Sequence, residues 1–169
     1  MVDTLLVKML RRVSLIGLFM LFAFPLSASM VSFLVVETGL NEEAASVPYS
    51  GLWEGVLMDA FFDAGHIVTN SPIARMEKKP VRDISGTVEE DFNDAVVGGA
   101  DYFILGFLEY KKQGERAVPM GMALKLYKTD TGKLVYEENF SVGPDNDLDE
   151  VYKAAQSAGR IIATHLKDR

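Results

Sequence analysis

Apolar stretches with strand-like and helix-like spacing alternate along residues 30–169 and predict one α/β domain. Residues 32–37 are short, apolar and β-branched, which indicates a buried strand. Ser50 suits the N-cap of a following helix, whose apolar positions recur at helical spacing up to Gly65. Residues 66–70 then predict a second strand. Because strand, helix and strand follow in this order, we expect parallel pairing with a right-handed crossover.

The spacing of apolar residues is weak over residues 71–86 and strong over residues 87–110. Residues 71–86 contain prolines and a glycine, which predicts a long loop with one helical turn near Ile73–Met76. The sequence from Thr87 to Glu90 is a capping box, and the helix that it predicts ends at a pair of glycines. Residues 102–110 are apolar at almost every position, as in a central strand with both faces buried.

Two alternating strands and a closing helix complete the predicted domain. Apolar residues alternate over 118–126, a glycine-containing loop follows at 129–132, and a returning strand reaches Val142. Asp147 and Glu150 predict a second helix cap, and an apolar helix face follows. The resulting order, β-α-β-α-β-β-β-α, predicts an α/β fold with a single mixed β-sheet of about five strands, packed by three helices.

Residues 1–29 have the layout of a secretory signal peptide. A pair of arginines precedes an apolar run, and small residues at the end fit the cleavage pattern, which predicts a cut after Ser29. An acidic residue near the start is unusual in such a leader, so Met1 and Met9 are alternative translation starts.

An uncleaved membrane anchor is the alternative for this segment. No charged residue occurs from Val13 to Val36, a run of 24 residues, and about 20 apolar residues can span a bilayer. Pro25 and the small residues after it interrupt the run, and its end is needed as the first strand. We therefore expect a periplasmic protein, anchored in the inner membrane only if the leader is uncleaved.

Charge and cysteine content exclude several classes of partner and chemistry. The formal net charge is −7, and removal of the basic leader leaves the rest of the chain more acidic still. Such a surface repels phosphate backbones and anionic lipid, so we expect no nucleic-acid partner. The sequence contains no cysteine, which excludes disulfides, thiolate metal sites and a lipid-modified cysteine.

Three stretches carry a resemblance to a known family: the helix-to-strand junction 57–68, the strand start 99–106 and the hairpin 124–135. They resemble the fold shared by CsgG-like and LpoB-like envelope proteins and the N-terminal domain of TolB. The resemblance covers most of residues 32–166 and rests on structural positions such as a small residue that closes a helix. It implies a module that binds other envelope components and has no catalytic residues. This chain departs from the lipoprotein members because it has no cysteine to acylate.

Residues that could carry out chemistry are few and scattered. His66 and His165 are the only histidines, and no carboxylate pattern accompanies them, so we predict no metal site. Residues 145–149 are similar to the start of an EF-hand loop, but Glu150 stands where that loop needs glycine. We therefore predict no catalytic residue and no cofactor.

A small-molecule cleft in such a fold is expected past the carboxyl ends of the parallel strands. This position makes Glu37, Thr38, Asn70 and Ser71 the candidate cleft residues, on the basis of fold alone.

Two segments have a biased charge. Residues 71–86 are basic within an acidic protein, and residues 137–150 contain only acidic charges. They are either solvated loops or complementary contacts with a partner or a second copy.

The sequence favours an exported, non-enzymatic binding or scaffolding module of the cell envelope, which acts through protein–protein contacts with an unknown envelope protein or complex. The alternative is an exported enzyme or small-ligand binder with an unrecognised site.

Overall fold

Six strands and three helices make up the part of the chain that the computed structural model describes, which comprises residues 28–40, 48–80, 82–113, 116–142 and 147–166. In chain order the elements are β1 (Met30–Thr38), α1 (Pro48–Asp63), β2 (Ile67–Asn70), β3 (Ala74–Met76), α2 (Thr87–Val97), β4 (Tyr102–Gln113), β5 (Arg116–Lys128), β6 (Leu134–Ser141) and α3 (Leu148–His165).

The strands form one mixed sheet with the order β2-β1-β4-β5-β6, and β3 pairs with β1 on the same side as β2. β1 runs parallel to β2, β3 and β4, whereas β4, β5 and β6 form an antiparallel meander. The predicted α/β class, with one mixed sheet and three helices, is confirmed.

The segment Ile73–Met76 corrects the prediction of a helical turn, because Ala74–Met76 is the additional strand β3. Pro72 has no amide hydrogen to donate, so it interrupts the edge after β2. The chain then pairs with β1 again, and Arg75 lies opposite Glu37, which is its ion-pair partner. A short window of sequence does not contain this long-range contact.

Two of the three helix starts also differ from the predicted caps. α1 begins at Pro48, so Ser50 lies inside its first turn. At α2 the N-cap is Gly86, one residue before the predicted capping box. At α3 the N-cap is Asp147 as predicted, and its backbone carbonyl accepts the first amide bonds of the helix. Neither of these two helix starts has a side-chain capping hydrogen bond. Gly65 does close α1 as predicted, with a φ of 88°.

The two faces of the sheet have separate cores because side chains alternate along each strand. Odd-numbered residues of β1, such as Phe33, pack under α1 and α3 on what we call the α1/α3 face. Even-numbered residues, such as Leu34, pack with Val88 of α2 on the α2 face. Both faces of β1 and β4 are buried, which explains why their sequences are apolar with little alternation.

No helix within these described ranges is long and apolar enough to cross a membrane.

α1 and α3 approach each other closely at Gly159. A Cβ atom at this position would lie 2.6 Å from the Cβ atom of Ala60 on α1. Only glycine therefore allows the two helices to pack at this separation.

We predict that Gly159→Val lowers the free energy of unfolding by about 1–3 kcal/mol, because the added side chain must push the helices apart. The matched control is Gly55→Val on α1, where an added Cβ meets nothing within 4 Å; this change stays within about 0.5 kcal/mol of wild type. Urea denaturation measures both variants. Equal stability of the two variants contradicts the close packing.

Candidate functional site

Glu37 is a fully buried carboxylate at the carboxyl end of β1, between β3 and β4. Its Oε2 atom accepts a hydrogen bond from Nε of Arg75 at 2.5 Å. The Arg75 side chain reaches the surface and is 37% exposed. The second carboxylate oxygen, Oε1, has no hydrogen-bond partner among the described residues.

Tyr110 of β4 completes this centre from the other side. Its buried phenol makes no hydrogen bond of standard geometry, but it lies close enough to Ser50 and Glu37 for both to affect its pKa. Burial first, and then the negative charge of Glu37, raises the pKa of Tyr110 far above its ordinary value. The phenol therefore keeps its proton at neutral pH and can donate it to an oxygen.

Gly39 explains how β1 and β4 come so close at this point. It follows β1 with a φ of 82°, and a Cβ atom there would overlap the carbonyl oxygen of Tyr110. Glycine supplies both the left-handed backbone and the missing side chain.

We call Glu37, Arg75 and Tyr110 the Glu37 centre. Its position between β1, β3 and β4 is suited to holding β3 against β1. Arg75 neutralises the carboxylate, and the protonated Tyr110 closes the remaining side. Separating a buried ion pair is costly because one charge loses its partner in a low-dielectric interior. The Oε1 atom is the one feature here that suits an ordered water molecule or a small ligand.

The four predicted cleft residues are not brought together. Thr38 follows Glu37 in the strand and points to the opposite face, where its hydroxyl donates to the carbonyl of Leu108 at 3.4 Å. Asn70 is exposed, and its amide donates to Glu54 of α1. The backbone amide of Ser71 donates to the carbonyl of Phe33 at 3.0 Å, about 13 Å back along β1 from Glu37.

A second polar cluster lies on the α2 face and is centred on Lys125 of β5. Lys125 forms ion pairs with Asp83 at 2.7 Å and with Glu137 at 3.0 Å. The phenol of Tyr127 donates to Asp83 at 2.9 Å. Nearby, the Lys79 ammonium lies 4.7 Å from the centre of the Phe107 ring.

These contacts fasten residues 77–80 and 82–86 across the α2 face. We call these two stretches of residues the strap. Two cations of the basic segment thus have internal contacts, because Arg75 pairs with Glu37 and Lys79 lies over the Phe107 ring. Sequence reasoning missed this cluster. A lysine inside an apolar alternating strand, opposite a glutamate across the predicted hairpin, was the signal that could have found it.

The pKa shifts in this cluster follow from its pairing. Burial alone would raise the pKa of Asp83, but hydrogen bonds from Lys125 and Tyr127 and the nearby positive charges outweigh it and lower the pKa. Burial alone would lower the pKa of Lys125, but its two carboxylate partners raise it. Burial and the Asp83 carboxylate together raise the pKa of Tyr127.

The other sequence candidates do not form a site. His66 is buried at the start of β2, and His165 stacks on Tyr136 with ring centres 3.8 Å apart. Within the described part of the chain, no three His, Asp or Glu side chains are grouped so that they could hold a metal ion. Residues 145 and 146 of the EF-hand-like segment and residues 1–27 of the predicted leader lie outside the described residues.

A shallow depression of about 320 Å³ occurs at the other end of the sheet, at the start of β4. It lies between the end of α2 and the β5–β6 hairpin, and Asp101, Lys128 and Asp130 line it.

A family model described as "Uncharacterised protein" matches residues 31–165. The chain belongs to this family. Among curated proteins, none matches the sequence.

The chain is also similar to several solved structures. The PelC dodecamer from Paraburkholderia phytofirmans has 14% identity and a TM-score of 0.48, over 84% of this chain and 90% of that chain. TolB from Acinetobacter baumannii has 15% identity and a TM-score of 0.45, over 83% of this chain and 29% of that chain. The LpoB C-terminal domain from Escherichia coli has 16% identity and a TM-score of 0.43, over 72% of this chain and 87% of that chain. The predicted fold-level resemblance to LpoB and TolB is confirmed, and at these scores it supports no inference about function.

We predict that Glu37→Gln lowers the free energy of unfolding by about 1–3 kcal/mol, because Arg75 loses its charge partner but can regain water at its exposed end. The control is Glu109→Gln, at an exposed position of β4, with a change within about 0.5 kcal/mol. Chemical denaturation compares the two. An equally small effect at both positions shows that the Glu37 pair contributes nothing to stability.

We predict that the stability difference between wild type and Asp83→Asn is widest at neutral pH. Because the pKa of Asp83 is lowered by folding, its contribution is fully present above about pH 3.9, the ordinary value, and is lost as the pH falls through the folded pKa. Thermal unfolding from pH 7 to pH 2 measures this difference. The control is Asp59→Asn on α1, and a difference for Asp83→Asn that is constant with pH contradicts the assignment.

Proposed function

We propose that this chain is an exported, non-enzymatic binding or scaffolding module of the cell envelope, which acts through protein–protein contacts in the periplasm. The sequence supports export, because a basic, apolar and then small-residue leader ends where β1 begins. An uncleaved leader would give the same module, held at the inner membrane.

The observation that carries the proposal is the difference between the two sheet edges. β6 is an edge strand of eight residues, and within the described sheet it pairs on one side only. Its pairing with β5 shifts register at Val135 and is regular from Tyr136 to Ser141. Leu134 and Val135 at its start are 44% and 47% exposed. The opposite edge is divided into two short strands by Pro72 and is therefore protected against pairing.

An open edge of this kind suits strand addition, in which an extended segment of a partner pairs with the unpaired backbone groups. β6 is already held in place from both faces of the sheet. Tyr136 stacks on His165 of α3, and Glu137 pairs with Lys125 of β5. A partner strand can therefore add without rearrangement of the domain.

The second candidate function is an exported enzyme or small-ligand binder, and one observation favours it. Oε1 of the fully buried Glu37 lacks a hydrogen-bond partner among the described residues and lies at the position where ligand sites form in such sheets. A thermal-shift screen of small molecules against wild type and Glu37→Gln discriminates the two functions. A ligand that stabilises wild type and leaves the variant unchanged favours this candidate.

A photo-cross-linking amino acid at position 135 of the full chain tests the proposed function in the native cell. We expect a discrete adduct with one envelope protein, because Val135 lies on the open edge. The control is position 62, where the native Phe62 is even more exposed, at 74%, but lies at the end of α1. Equal adducts from both positions, no adduct from position 135, or a cytosolic protein with its leader intact contradicts the proposal.

A further inference from the structure

The backbone at the predicted cleavage point is held by one aspartate. The amide nitrogen of Met30 donates to Oδ2 of Asp101 at 2.9 Å. In return, the amide nitrogen of Asp101 donates to the carbonyl of Met30 at 2.7 Å. A side-chain carboxylate thus binds the first amide of β1, at the point where the predicted mature chain starts.

Asp101 is itself fixed in position by the β5–β6 hairpin. Its carbonyl accepts hydrogen bonds from the amide and the hydroxyl of Thr129, at 3.2 and 3.0 Å. The backbone of Asp101 is therefore fixed by the hairpin and by Met30, and its carboxylate reaches Met30 from this fixed position.

We propose that Asp101 is the binding site for a new α-ammonium group, which is formed when the leader is removed between Ser29 and Met30. This inference rests on the export step of the proposed function. In the cleavage, water adds across the peptide bond, so Ser29 leaves as a carboxylate on the leader. Met30 keeps an amine, which takes up a proton and becomes the ammonium group.

A carboxylate suits an ammonium group better than it suits a backbone amide. A neutral amide needs only a neutral acceptor, as in the rest of the sheet, whereas an ammonium group carries a full charge. Charge-assisted hydrogen bonds are shorter and about twice as strong as neutral ones. Cleavage thus converts the Met30–Asp101 contact from a neutral hydrogen bond into an ion pair at the same place.

Cleavage also removes Ser29, which is buried in the uncleaved chain, and so opens its place to water. The carbonyl of Ser29 accepts a bond from the amide of Ile67 at 3.0 Å, and Ile67 is 56% exposed on the edge strand β2. The Ser29 hydroxyl lies 3.4 Å from the carbonyl oxygen of Leu166, near the limit for a hydrogen bond.

Intact-mass measurement on the protein purified from the envelope fraction is the first test. We expect a chain that begins at Met30. A chain that begins at Ser29 or earlier, or one that keeps its leader, overturns the inference, because no ammonium group then forms beside Asp101.

The second test is the pKa of the α-amino group, measured from the pH dependence of its labelling by an amine reagent. We expect a value above the ordinary range of about 7.7–8.0. Asp101 lines the same depression as Lys128 and Asp130, and His66 precedes Ile67, whose amide bonds to Ser29. A value within or below the ordinary range overturns the inference on wild-type protein alone.

Asp101→Asn identifies the residue responsible. We expect this variant to label several-fold faster than wild type near neutral pH, whereas Asp130→Asn, which lines the same depression, labels at the wild-type rate. Equal acceleration in both variants indicates a general charge effect and overturns the assignment to Asp101. If the chain begins at Met30 but its α-amine has ordinary reactivity, this inference is wrong while the proposed export still stands. The two proposals can therefore be contradicted independently.

Discussion

The burial of β1 on both faces is the constraint on which the rest of the structure depends. β2 and β3 pair with one of its edges and β4 with the other, all in parallel. Parallel strands need crossover connections, and the direction of the crossover reverses at β1. α1 and α2 therefore lie on opposite faces, and each covers one of the two cores.

The same arrangement places Glu37 at the point where strand order reverses, which is the usual position of a ligand cleft in open α/β sheets. In this chain the position is filled by an ion pair with Arg75 and by the phenol of Tyr110. These contacts fasten the short strand β3, whereas no strand of the described residues pairs with the outer edge of β6. The structure thus closes one edge of the sheet and leaves the other available.

The sequence predicts the elements that depend on local spacing. The long strands and the three helices follow from apolar periodicity, and Gly65 marks a helix end as expected. β3 could not be predicted, because a strand of three residues has no period and depends on the distant charge of Glu37. The helix starts were predicted only in part. Asp147 is the N-cap of α3 as expected, but α1 begins at Pro48, and the N-cap of α2 is Gly86, whose φ of 58° favours glycine.

The polar contacts were predictable only in part. Alternation along β1 already implies that Glu37 and Thr38 face opposite sides, so the four-residue cleft could not form as a unit. The pairing of Lys125 with Glu137 follows from the hairpin register. Its pairing with Asp83 does not, because the path of the strap across the sheet depends on tertiary packing.

Hydrogen exchange on the exported protein, resolved by residue, tests the central claim most directly. That claim is a rigid sheet built around β1 with an open edge at β6. We expect the amides of β1 and β4 to exchange only on global unfolding, while the outward-facing amides of β6 exchange much faster. Full protection along β6, or exchange of β1 as fast as that of β6, would contradict the account.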